Sequence, residues 1–324
     1  MAIDAFNALY KSGITKKEAY RKAALTKLGD ALSAGREDVL KALMADLGKT
    51  KQECALIFAG FVTLPLTNVI RKTGDYLSPS FLPPVPPYVI SSGKIIPESY
   101  GTVAVRPDKR FPFLAAFGQF LASLAAGNCT VLSFYGKETE TAKLMTGIVN
   151  AALPEGFGKI ALGNTATGVF RFDLTFRGEE QRGQVPAVVD ATADLDQAAK
   201  KIVYAWRRMA CLTGISPEVL YVPEVIAPAF IKEVDKWANR FPGKGEPEKL
   251  AVKNWKTLED LLPALTALPV PPALYLFTQD DRVRESVMAG VPFGQGCINE
   301  TTLRPVPISR MVCEFTFDKT VMIR

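Results

Sequence analysis

No histidine occurs anywhere in the 324 residues, which removes Ser-His-Asp and Cys-His machinery and every histidine-ligated metal site. Acid–base chemistry is left to Glu, Asp, Lys, Tyr, Cys and water. Cysteine is sparse too: Cys54, Cys129, Cys211, Cys297 and Cys313 are scattered and form no CxxC pair. Neither a metal site nor a disulfide framework is expected, and the thiols read as reduced and intracellular. The opening MAIDAFNALYKSG lacks a basic region followed by a long apolar run, so cytoplasmic residence is expected. The most apolar stretch, Phe111 to Ala126, is interrupted by Gln119 and Ser123 and falls short of a bilayer, so it reads as a buried helix and no membrane span is expected. No GxGxxG follows any strand-like run, which takes away the usual dinucleotide fingerprint.

What is present is a globular chain. A hydrophobic content of 48% can bury a substantial core in two domains or one large α/β unit, and a charged content of 22% fits neither disorder nor a fibre. The net charge is +6, but Lys and Arg alternate with acids along amphipathic segments, so no nucleic-acid partner is expected.

Thr15 to Glu18 has the form of a capping box, followed at helical spacing by Tyr20, Ala24, Leu28 and Ala31. A second helix from about Glu37 carries Val39, Leu43 and Leu47 on one face, with Gly48 as its stop. A third covers Glu53 to Lys72 and precedes a Pro-rich stretch, Ser78 to Pro87. From Thr102 the periodicity alternates between strand and helix: strands at 102–105, 130–134, 159–162, 174–176, 187–189, 219–222 and 274–277, and helices at 112–126, 138–152, 195–208, 225–241 and 258–265. That is the βαβ rhythm of a parallel sheet. The tail, Cys313 to Arg324, alternates like a strand.

The segment Gly101–Gly136, GTVAVRPDKRFPFLAAFGQFLASLAAGNCTVLSFYG, closely resembles the aldehyde dehydrogenase superfamily, especially its short fatty-aldehyde branch. The likeness continues through Ala187–Asp190 with Ala193–Asp196, through Ile215–Pro217 and Pro272–Phe277, and includes Asp46–Lys49. The resemblance implies an α/β fold: a parallel Rossmann-type sheet domain (1–80 and 102–176), a truncated second α/β domain (177–303), and a bridging β arm (85–101 and 304–324) that pairs two copies into a homodimer.

Carried over position by position, the family's functional residues are altered. Arg110, in Lys109-Arg110-Phe111-Pro112, stands where the resemblance implies an oxyanion-hole Asn, and Gly214, in Cys211-Leu-Thr213-Gly214, stands where it implies the nucleophilic Cys. Ser133 replaces the ribose-binding Lys, and the turn that opens the pyrophosphate-facing helix shortens to Arg177-Gly178-Glu179. Glu180 holds the general-base position, and the family's Glu-x-Phe-Gly-Pro motif is missing. From these changes we expect no nicotinamide cofactor and no aldehyde oxidation. The expected activity is instead a cofactor-free conversion of an apolar, unsaturated aldehyde by cyclisation, Diels–Alder cycloaddition or isomerisation. Arg110 would act as donor to the carbonyl, Glu180 as its catalytic partner, and Lys109, Phe111, Cys211, Thr213, Gly214, Asn299 and Glu300 would form the pocket wall. The alternative is an inactive pseudo-dehydrogenase serving as a partner subunit. Arg207 and Arg208, adjacent on one helix, cannot both face the core.

Overall fold

The computed structural model describes residues 3–83, 92–107, 113–136, 138–163, 171–177, 184–209, 215–241, 250–267, 269–301 and 308–323. The chain divides into two compact units. The first joins Met1–Gly178 to Val306–Arg324, and the second is Glu179–Pro305.

In the first unit, α1 (Ile3–Lys11) leads into a short 3-10 turn (Ile14–Lys16) and α2 (Glu18–Ala34). The expected capping box does not form. Lys17 is the N-cap and gives no side-chain bond, because Thr15 belongs to the tight turn before it and is buried there. The box that does form is Thr50 with Glu53, at the start of α4 (Lys51–Phe58), after α3 (Arg36–Leu47) has closed on Gly48 in the left-handed conformation, φ 63°. A π turn (Ala59–Thr63) joins α4 to α5 (Leu64–Lys72). Among the described residues this run, Lys51–Lys72, is the one helix long and apolar enough to cross a membrane, yet Cys54, Ile57, Phe58, Val62, Leu66 and Val69 are buried in the unit's core. The fully buried guanidinium of Arg21 ties the helical layer together by donating to the carbonyls of Thr15 (3.1 Å), Lys16 (2.6 Å) and Thr73 (2.9 Å).

The Pro-rich stretch opens as β1 (Ser80–Leu82) and pairs antiparallel with β2 (Ser92–Ser99). There follow β3 (Thr102–Arg106), α6 (Phe113–Ala125), β4 (Cys129–Phe134), α7 (Glu140–Ala152), β5 (Gly158–Leu162) and β6 (Leu174–Arg177). The four strands β3–β6 are parallel, in the order β5-β4-β3-β6. Gly101, at φ 129°, makes the turn into β3 where an added Cβ would lie 2.3 Å from an Asp173 oxygen. β4 is fully buried and β3 is buried up to Arg106, and both are mainly apolar, as parallel strands covered on both faces are.

The second unit contains β7 (Pro186–Val189), α8 (Leu195–Tyr204) running into a π turn (Ala205–Met209), β8 (Val219–Pro223), α9 (Ala227–Arg240), β9 (Ala251–Trp255), α10 (Leu258–Thr266), β10 (Ala273–Phe277), α11 (Asp281–Gly290) and β11 (Gln295–Ile298). Its five strands are all parallel, in the order β11-β10-β7-β8-β9. The chain then returns to the first unit through α12 (Ile308–Val312) and β12 (Thr316–Ile323). The expected strand from Cys313 begins three residues late, since Cys313–Phe315 forms a 3-10 turn. β12 pairs antiparallel with β2 along its whole length, from Thr316 opposite Ser99 to Ile323 opposite Ser92.

Candidate functional site

Of the residues singled out in the sequence, Lys109, Arg110, Phe111, Glu180, Cys211, Thr213 and Gly214 lie outside the described residues. Asn299 and Glu300 are described, and they stand at an informative place. In the second unit's sheet, β7, β8 and β9 are laid down in one direction and β10 and β11 in the other, so the strand order reverses between β7 and β10. The carboxyl ends of strands at such a reversal are where doubly wound sheets bind ligands. Asp190 follows β7, Thr278 follows β10 and Asn299 follows β11.

These residues are bonded to one another. The Asp190 carboxylate accepts from Thr192 Oγ1 (2.6 Å), the Thr192 amide (3.1 Å) and Thr278 Oγ1 (3.1 Å). Asn299 grips the Thr278 backbone from both sides: its Oδ1 accepts from the amide at 3.0 Å and its Nδ2 donates to the carbonyl at 2.9 Å. It does so at φ 57°, the left-handed region that Asn tolerates better than most residues. Lys201, on α8, donates to the Asn299 carbonyl (2.8 Å) and pairs with Glu300 (3.0 Å), while Thr301 Oγ1 donates to the Lys201 carbonyl (3.2 Å). Asn299 and Glu300 therefore belong to a latch between α8 and the segment after β11. Sequence reasoning missed Lys201, Thr192 and Thr278. Asp190 did stand in a segment quoted for the family likeness, and a Thr ending a buried strand was the available signal for Thr278.

Ile215, the first described residue after 210–214, is anchored by Tyr275, whose hydroxyl donates to its carbonyl at 2.6 Å. Burial pushes the Tyr275 phenol well above its ordinary value, so it serves as a neutral donor. At its entry the π turn Ala205–Met209 carries Trp206 with the Arg207 guanidinium 4.7 Å from the ring centroid. Arg207 is half-buried against that ring, and the Arg208 side chain lies outside the described residues.

Burial sorts the thiols. It pushes Cys129 up to about 12 and raises Cys54. Cys297, on β11, is raised by burial and then by the Glu300 charge. A thiol held protonated is a poor nucleophile, so none of these three is equipped to attack a carbonyl. Among the described residues no group of three or more Cys, Asp or Glu could hold a metal ion.

No family model matches the chain. Among characterised proteins it is similar to 4,4'-diaponeurosporen-aldehyde dehydrogenase of Staphylococcus aureus (22% identical; 91% of this chain and 83% of the relative). It is also similar to an aldehyde dehydrogenase of Craterostigma plantagineum (26%; 75% and 56%) and to 4,4'-diapolycopene-4,4'-dial dehydrogenase of Cytobacillus firmus (23%; 73% and 57%). The chain thus spans little more than half the length of the last two. Among solved structures, the substrate-bound state of S. aureus AldH superposes with a TM-score of 0.82 at 19% identity, covering 99% of this chain and 93% of that one. Glyceraldehyde-3-phosphate dehydrogenase GapN of Methanocaldococcus jannaschii, complexed with NADP, gives 0.81 at 14%, with 99% and 93% covered.

Two parallel sheets and a bridging antiparallel arm in this chain order define an aldehyde dehydrogenase fold. The relatives and structural neighbours reported above are alike aldehyde dehydrogenases, and the chain shares their fold across 99% of its length.

This finding overturns the expectation of a cofactor-free cyclase, pericyclase or isomerase, and equally its alternative of an inactive pseudo-dehydrogenase: the relatives that match across most of the chain are dehydrogenases. It also overturns the expectation that the chain is not a nicotinamide-dependent enzyme. Single altered positions such as Gly214 and Ser133 do not outweigh a likeness to dehydrogenases that spans most of the chain.

The strand order of the first unit's sheet also reverses. In the order β5-β4-β3-β6 the direction reverses between β3 and β6, and the crevice at their carboxyl ends is the nucleotide position in doubly wound sheets. Arg106, half-buried, ends β3, with Arg177 as its register partner on β6. Ser133, at the position where the resemblance implies a ribose-binding Lys, is 1% exposed and its Oγ has no hydrogen-bond partner, so its short buried hydroxyl does not fit that role.

Proposed function

We propose that the chain is a nicotinamide-dependent dehydrogenase that oxidises a long apolar aldehyde to its acid. The observation that carries this reading is the similarity over 91% of the chain to a dehydrogenase named for a long polyene aldehyde, joined by a second relative named for a related dialdehyde. In this reading the first unit serves the cofactor and the second the aldehyde. Arg106, at the β3–β6 crevice, would hold the cofactor's phosphates, and Ser133 could offer its ribose no cationic contact.

When bound, the nicotinamide supplies the hydride acceptor. The overall change is balanced by water: aldehyde, water and oxidised cofactor give acid, reduced cofactor and one proton. We assign the nucleophile to Cys211, the thiol of the segment 210–214 between the Trp206 turn and the Tyr275 anchor. Its thiolate adds to the carbonyl carbon while Arg110 donates to the oxygen on which negative charge develops. Glu180 takes the proton from the water that releases the acid. Lys109, Phe111, Thr213 and Gly214, which lie outside the described residues, would form the pocket wall in this reading.

The test is reduced-nicotinamide formation by the purified full chain, offered NAD or NADP with a series of linear and polyene aldehydes. The expected result is turnover that rises with chain length. A folded protein that reduces neither cofactor with any aldehyde of the series would overturn the proposal.

We further propose a cytoplasmic homodimer joined along the arm. β12 is the outer strand of the sheet β1-β2-β12, and it exposes Phe317, Val321 and Met322; an edge this apolar is covered in a stable protein. Light scattering is expected to give twice the monomer mass of 35.3 kDa. A monomer at micromolar concentration would refute the pairing.

A further inference from the structure

The helix Lys51–Lys72 has a second face that neither the core nor the proposed chemistry uses. Its buried side chains Cys54, Phe58, Val62 and Leu66 recur every four residues, a spacing that an uninterrupted α-helix would spiral away from its partner by about 40° per step. The π turn at Ala59–Thr63 corrects this by widening one turn. The same correction acts on the outside. Leu56 and Leu64, eight residues apart, would stand about 80° apart on a regular helix, and the extra residue of the π turn brings them to within roughly 20° of one another.

Both leucines project into solvent, with 75% of Leu56 and 60% of Leu64 exposed. Gly60 lies between them, and a Cβ there would meet no atom within 4 Å, so the face is open. From Cys54 to Ile70 it carries no charge at all. Its ends are basic. Lys51 is exposed at the start, and Arg71 and Lys72 are exposed at the finish. α12, which packs against α5, presents Arg310 to solvent. Of the nearby acids, Glu37 pairs with Lys51 at 2.6 Å, Glu53 is folded back onto the Thr50 amide and hydroxyl as the helix cap, and Asp75 lies in the next turn, which leaves Arg71 and Lys72 as the face's cationic end.

We propose that this face docks on an anionic lipid surface, with Leu56 and Leu64 entering the acyl boundary and Arg71, Lys72 and Arg310 pairing with headgroup phosphates. An apolar stripe bounded by cations is what lies in the plane of such an interface. A second copy of the chain is a poorer occupant, since a stable protein interface needs about 800 Å² from each partner and two leucines around a glycine supply only a fraction of that. The proposal goes beyond the dehydrogenase reading and does not depend on it, because binding needs no turnover. Joined to that reading, it places the enzyme where a long apolar aldehyde is dissolved.

The experiment is co-sedimentation of the full chain with vesicles of phosphatidylcholine alone and of phosphatidylcholine with phosphatidylglycerol. Binding is expected only to the anionic vesicles and should weaken as salt rises. The Leu56→Asp/Leu64→Asp variant should bind roughly tenfold or more weakly, and Arg71→Ala/Lys72→Ala should lose the dependence on phosphatidylglycerol, both with an unchanged melting temperature. Equal binding to neutral vesicles, or anionic binding that the leucine variant retains, overturns the proposal. So does a wild-type chain that ignores both vesicles while the leucine variant halves its mass in solution, which would assign the face to a second copy.

Discussion

Lys201 on α8 and Asn299 after β11 are joined across the carboxyl end of the second unit's sheet by a 2.8 Å bond from the Lys201 ammonium to the Asn299 carbonyl. The same ammonium pairs with Glu300 at 3.0 Å, so one side chain fixes the position of the segment after β11 relative to the helix leading into Cys211. Because both partners are about a third to a half exposed, the ion pair contributes less than about 1 kcal/mol to global stability. Its effect is local. Lys201→Met should leave the urea midpoint nearly unchanged, while amide exchange at 299–301 accelerates about two- to fivefold. Unaltered exchange there would show that the latch holds nothing.

Asn299 does two things that substitution separates. Asn299→Gly keeps the left-handed backbone and loses the two bonds to Thr278, whereas Asn299→Ala loses the bonds and adds strain at φ 57°. The alanine variant should therefore be less stable than the glycine variant by about 1 kcal/mol in chemical denaturation. Equal stabilities would mean that the backbone relaxes out of that conformation.

If Cys211 is the nucleophile, Cys211→Ala abolishes aldehyde oxidation and leaves cofactor binding by calorimetry unchanged. Cys297→Ala should retain activity, since burial keeps that thiol protonated. Arg110→Ala should lower kcat by on the order of a hundredfold or more, with Arg110→Lys recovering part. Full activity in Cys211→Ala would remove the assignment.

Glu98 on β2 bonds to Lys16 and, at 3.0 Å, to Lys319 on β12. These two hydrogen bonds hold its carboxyl below the ordinary carboxylate value. A carboxyl whose folded value is depressed adds stability above its unfolded value of about 4.3 and loses that contribution as pH falls through the folded one. Melting temperature should thus drop on acidification below about pH 5, and drop less steeply in Glu98→Gln. Parallel profiles for the two proteins would rule this linkage out.

Asn128 is fully buried. Its Oδ1 accepts from the Gly101 amide (3.0 Å), and its Nδ2 donates to the carbonyls of Ser123 (3.2 Å) and Phe315 (2.9 Å). Asn128→Ala strands these groups away from water and should cost about 1–3 kcal/mol by denaturant unfolding. A smaller loss would mean that water enters and replaces the amide.

Where apolar periodicity is strong, the elements could be read in advance: α6 from its near-continuous apolar run, β3 and β4 from unbroken buried residues, and α3 from Val39, Leu43 and the stop at Gly48. Elements with thin patterns escaped. α11 buries only Val283 and Val287, and β9 exposes four of its five residues, so neither shows a usable period. The two π turns were illegible for a different reason. Their i to i+5 bonds are set by packing, and no residue pattern in the sequence marks where they fall. The Asp190–Thr278–Asn299 cluster was half legible, because Asp190 and Asn299 could be singled out one at a time whereas their convergence depends on strand order.

β12 completes the first unit, yet it follows the whole of the second in the chain; Lys319 meets Glu98, 221 positions away. During vectorial synthesis β2 must therefore wait, its outer edge unpaired, while 179–305 are made. The second unit is made as an insertion before the first can close, which leaves that edge open to a chaperone for a defined interval and makes a stalled chain prone to aggregate there.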